Sequence, residues 1–96
     1  MTRPPPLVVT MTQLSADSRE KIAARLLTLE AARAVMSKAA CEGLNAALLP
    51  VGPASLERTA AARALRDALR GFSFEWIEQI EKDGARTWAL RLVWPA

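Results

Sequence analysis

Few residues in this chain could do covalent chemistry, and none stands at a diagnostic spacing. There is no histidine, which removes Ser-His-Asp and Cys-His arrangements and the usual zinc ligand sets. The single cysteine, Cys41, falls in a helical pattern with no base near it in sequence. It reads as a small buried hydrophobe. The four glycines are scattered, so no phosphate-cradling loop exists. Glu75, Glu78 and Glu81 lie on one strand, but Glu78 points away from the other two, so they do not converge as an acid/base pair. Charges on an edge strand that block strand addition explain them better. The sequence therefore reads as a non-catalytic binding protein without a metal or cofactor.

Three features remain that could bind. Arg63, Arg66 and Arg70 line up with Thr59 on one side of a helical segment that ends at Gly71. Arginine grips phosphate and carboxylate through a planar fork of donors, and the net charge of +3 favours anionic partners. The second feature is Arg33, between Leu29 and Met36 on an otherwise apolar stripe. A buried, unpaired guanidinium is costly, so Arg33 must pair, reach solvent or lie at an interface. A charge in such a seam can set register between partner helices. The third is Trp88, placed opposite Glu78 near the end of a hairpin, where an aromatic could anchor a protein or stack a base.

These residues must be positioned by a small fold. At 96 residues with 51% hydrophobic and 24% charged composition, the chain makes one globular domain. Residues 1–6 read as a loose proline-rich lead-in, with the domain over 7–96. The lead-in is no signal peptide, because its apolar run is too short. No stretch reaches the roughly 20 apolar residues of a membrane span. A lone cysteine fits the cytoplasm.

The strongest local signal is in the last quarter, where two aromatic and branched runs flank Asp83-Gly84. A three-residue loop of Lys82, Asp83 and Gly84 sets Trp76 opposite Leu90, Phe74 opposite Leu92 and Phe72 opposite Trp94. The other face then pairs Glu75 with Arg91 and Ile77 with Ala89. A slip of one residue would destroy that aromatic face. Upstream, residues 7–13 are short and β-branched and predict a strand. A helical stripe of Ile22, Leu26, Leu29, Arg33, Met36, Ala40, Leu44 and Ala47 predicts a long helix from residue 18, capped by Asp17 or a nearby serine. It runs to about Ala40, with a further piece to Leu49. Pro50-Val-Gly-Pro53 ends it, and Ser55 caps a second helix running to Arg70.

The fold expected is two-layer α+β in the order β-α-α-β-β. A three-stranded sheet carries two helices on one face, the first of them long. Its third strand is central, its second an edge, and its first parallel to the third.

An arginine-striped helix just before a hairpin resembles the recognition helix and wing of winged helix-turn-helix proteins. In that likeness residues 38–49 form the first helix of the pair. It implies nucleic-acid binding through Thr59, Arg63, Arg66, Arg70, Lys82 and Arg86, with α-helical readout and backbone contacts by the hairpin. The alternative is a protein-binding adaptor or inhibitor of phage or mobile-element type. It would act through Arg33, Met36 and Trp88, with a homodimer as one form.

Overall fold

A computed structural model of the protein describes residues 6–95; residues 1–5, which hold most of the proline-rich lead-in, lie outside the described residues, as does residue 96. The class is the one expected: a small α+β unit with a three-stranded sheet and a long first helix. The elements run α1 (Leu7–Leu26), α2 (Leu29–Cys41), β1 (Ala46–Gly52), α3 (Ala60–Ala68), β2 (Ser73–Ile80) and β3 (Arg86–Val93). The order is therefore α-α-β-α-β-β, and the sheet order is β1-β3-β2 with both pairings antiparallel.

The hairpin forms in the register that its residues dictate. Trp76 faces Leu90, Phe74 faces Leu92, Glu75 faces Arg91 and Ile77 faces Ala89. Gly84 donates its N–H to the Glu81 carbonyl at 2.9 Å and takes φ +86°, and Glu81 donates to Ala85 at 2.8 Å. This is a type I turn closed by a left-handed glycine. Arg91 donates to Glu75 across the strands at 3.0 Å. Both side chains are substantially exposed, so the pair contributes at most about 1 kcal/mol. Beyond the ladder, Phe72 meets Trp94 edge-on with centroids 6.2 Å apart.

β3 is central and β2 is an edge, as expected, but the strand on the other side of β3 is residues 46–52. That segment is not a continuation of the helix. Ala47, Leu49 and Val51 are buried and alternate with exposed Leu48 and Pro50, a period of two laid over helix-favouring alanines and leucines. Pairing with β3 outweighs their propensity. Pro50 is tolerated because β1 is an edge, and the irregularity between Pro50 and Gly52 disrupts that edge further.

Residues 7–13, expected as a strand, are helical instead. A strand requires a neighbour for its backbone groups, and the place beside β3 is taken by β1; a helix satisfies its own. No helix start occurs at Asp17, since α1 runs unbroken from Leu7 through it. The long helix expected from residue 18 onward is broken at Leu27 and Thr28. Thr28 is extended and its hydroxyl oxygen accepts from the Ala31 N–H at 3.1 Å, capping α2. α2 ends at Cys41. Leu44 donates to the Ala39 carbonyl and Gly43 to Ala40, both at 3.0 Å, with Gly43 at φ +82°. This is a Schellman stop, so Gly43 terminates the helix. Cys41 lies exposed there and is not buried.

The core joins one face of the sheet to all three helices. Leu49 and Val51 of β1 and Leu90 and Leu92 of β3 meet Ala23, Leu27, Ala32, Leu56, Ala62, Leu65 and Leu69. Leu56, Leu90 and Leu92 are the largest side chains fully out of solvent, each worth about 1.5–3 kcal/mol of burial. Phe74, Trp76 and Trp88 are partly buried against this cluster.

Two stability changes follow from this packing. Leu90→Ala is expected to cost about 2–5 kcal/mol in denaturant unfolding, because it leaves a cavity beneath Trp76 and Leu49. An unchanged midpoint would mean the core lies elsewhere. Gly43→Ala meets no atom within 4 Å, so its cost is purely the left-handed backbone, about 1–2 kcal/mol. A calorimetric melt measures it.

Candidate functional site

α3 starts later than the sequence suggests, and its cap decides which residues face outward. Thr59, not Ser55, is the N-cap. Its hydroxyl accepts from the Ala62 N–H at 3.2 Å and donates to the Leu56 carbonyl at 2.7 Å, and the residue is 4% exposed. Thr59 thus belongs to the framework and not to the binding face. A second contact holds the same helix end. Both carboxylate oxygens of Glu20, on α1, accept from the Ala60 N–H at 3.1 and 3.3 Å. The negative charge sits where the partial positive charge of the helix N-terminus favours it, and it ties α1 to α3.

With Ala62 and Leu65 buried, Arg63 and Arg66 are turned outward and exposed, and Arg70 is exposed just past the helix. Among the described residues none of these three arginines, nor Arg58, makes a salt bridge; the only ion pairs are Arg86–Glu78 at 3.5 Å and Arg91–Glu75 at 3.0 Å. Arg63 donates from Nη2 to the Arg58 carbonyl at 3.2 Å, leaving other donors of its fork free. Arg63 and Arg66 line a small pocket of about 90 Å³ with Glu57, Phe74 and Trp76. Cations and half-buried rings therefore meet where α3 crosses β2.

The other expected residues fall in separate places. Lys82 is exposed in the hairpin loop, and Arg86 is exposed but paired with Glu78. Trp88 faces Glu78 as anticipated, yet it lies half-buried against the core and is not a free surface anchor. Arg33 is exposed and Met36 half-buried. They share a groove of about 430 Å³ with Leu29, Leu69, Phe72 and Trp94. The break at Thr28 rotates the apolar stripe of α2 onto Ala32 and Ala39, which moves Arg33 from its centre to its flank. The groove was foreshadowed only in part by sequence, through the pairing of Phe72 with Trp94.

The first helix of the supposed helix-turn-helix pair is not formed. Residues 46–52 are strand, and seven residues of turn and loop separate them from α3. What persists of the winged-helix likeness is an arginine-bearing helix followed by a hairpin. Among the described residues no group of His, Cys, Asp and Glu is arranged to hold a metal, and no helix is long and apolar enough to cross a membrane. Compared with known proteins, the chain matches no protein-family model, no curated protein and no solved structure.

The capping contacts carry a prediction. Thr59→Val keeps the volume but removes the hydroxyl, and is expected to cost about 1–2 kcal/mol. Glu20→Gln should cost less, and its effect should shrink at high salt, as a charge–dipole contact requires. Urea unfolding at two salt concentrations separates the two.

Proposed function

We propose that the protein is a small, non-catalytic nucleic-acid-binding protein that grips phosphates through Arg63, Arg66 and Arg70. The observation that carries this reading is three exposed arginines at α3 with no ion-pair partner among the described residues. Their planar forks of donors suit phosphate, and among the described residues only Arg63 spends a donor within the chain, on the Arg58 carbonyl. The adjoining Phe74 and Trp76 are half-buried against the core, so the grip rests on the arginines and not on base stacking. Lys82 stands apart at the hairpin tip between Glu81 and Asp83, and Arg86 is offset by Glu78, so neither adds to the site. The ligand is held mainly by its backbone, with regulation through occupancy as the biological role. A lone exposed thiol fits a reducing cytoplasm.

A second reading, an adaptor or inhibitor acting on another protein, is favoured by one observation: the apolar groove beside Arg33 and Met36.

A salt titration distinguishes them. With three arginine–phosphate contacts, log K against log salt should fall with a slope of roughly −3 for duplex and roughly −2 for single strands. Arg66→Ala should weaken binding across all sequences and reduce the slope by about one. Absence of duplex and single-strand binding at ~50 mM salt would end the nucleic-acid reading.

A further inference from the structure

The first half of α1 has no place in its own fold. Every residue from 7 to 15 is exposed, including Leu7 at 73%, Val8 at 70% and Leu14 at 57%. The molecule is drawn out to 63 Å along its longest axis. This segment is a poor helix on its own terms. It contains Val8, Val9, Thr10 and Thr12, and the Thr12 hydroxyl bonds back to the Val8 carbonyl at 2.7 Å. Such residues do not hold a helix without packing.

The arm is also without charge: the ten residues from Leu7 to Ala16 include no acid and no base. That argues against a membrane surface, since a helix lying on lipid carries a cationic polar face. It argues equally against a strongly charged protein. The chain offers a surface of matching character in the groove between α2 and the end of α3. Its floor is Leu69, Phe72 and Trp94, and its one charged lining residue is Arg33. The threonines and glutamine of the arm supply acceptors for that guanidinium.

Area decides how two copies would meet. Ten helical residues span about 15 Å, so two arms laid against each other bury one short strip per copy. That falls below the roughly 800 Å² per partner of a stable interface. Reciprocal exchange, in which each arm occupies the other copy's groove, covers two strips per copy and leaves neither surface bare. It is also isologous, as closed dimers require. We propose that the protein is a two-fold dimer in which the α1 arm of each copy lies in the α2–α3 groove of the other.

Sedimentation equilibrium from about 1 to 100 μM tests this, with a micromolar or tighter dimer expected for the unaltered chain. Val8→Asp in the arm and Leu29→Asp in the groove each put a charge into the contact while placing an acid in the first turn of a helix, where it is favourable. Each alone should weaken dimerisation roughly 30-fold or more, with the helical circular-dichroism signal of the monomer body kept. Mixed together they keep one intact arm–groove contact and place two acids in the other, so the mixed dimer should stay weaker than that of the unaltered chain. Leu14→Asp serves as a second arm variant should Val8→Asp alter folding. A monomer throughout the range overturns the proposal. Dimerisation of Leu29→Asp at the unaltered strength overturns it too, since the arms would then be pairing with each other.

Discussion

Everything in this fold hangs on the central strand, β3. It is hydrogen-bonded on both sides, to β2 through a three-residue turn and to β1 through a chain reversal of more than thirty residues. Leu90 and Leu92 are fully buried where the sheet meets the helices, so their register aligns the whole apolar layer. A one-residue slip would exchange them for Arg91 and Ala89. The turn at Gly84, the Glu75–Arg91 pair and the Phe72–Trp94 contact all specify the same register. Such agreement between local and tertiary preferences is what makes a small sheet singular.

The helices are held to that layer by small contacts and caps more than by bulk. Ala23 and Ala32 are fully buried, which lets the helix backbones come close, and Thr28 and Thr59 end their turns with side-chain bonds. Glu20 adds a long-range cap, linking positions forty residues apart. These contacts fix α3 with its arginines outward. They hold only the second half of α1, and the first half continues into solvent as a consequence of being covalently and helically continuous with it.

Function is read from what the fold leaves unsatisfied. Charged groups that serve the architecture are occupied: Glu20 by a helix end, Glu75 by Arg91, Glu78 by Arg86. Arg63, Arg66 and Arg70 have no ion-pair partner among the described residues, and the first two line a pocket with partly buried Phe74 and Trp76. The arm and the α2–α3 groove are unsatisfied in another sense, being apolar surface in contact with water. The two kinds of surface meet at α3, which carries the arginines and forms one wall of the groove.

The sequence by itself determined the hairpin, down to each opposing pair, because its register depends on a turn and two alternating runs that are neighbours in the chain. It also showed that β3 would be central, from apolar residues on both of its faces, and that no chemistry can rest on histidine, which the chain lacks. Residues 46–49 carry a helical pattern and residues 7–13 a strand pattern, and each forms the opposite, for one reason. Alanine and leucine are at home in a helix and valine and threonine in a strand, but a strand exists only if an edge is free to receive it. β3 has one such edge, and the tertiary structure decided that 46–52 would take it, leaving 7–13 to satisfy its backbone as helix. The break at Thr28 was likewise invisible to a stripe that tolerated spacings of three and four. Once made, it moved Arg33 to the flank of α2 and opened the groove beside it. Thr59 shows the same division on the scale of one side chain: its type suited either a cap or a binding face, and its bonds to the Ala62 N–H and the Leu56 carbonyl made it a cap.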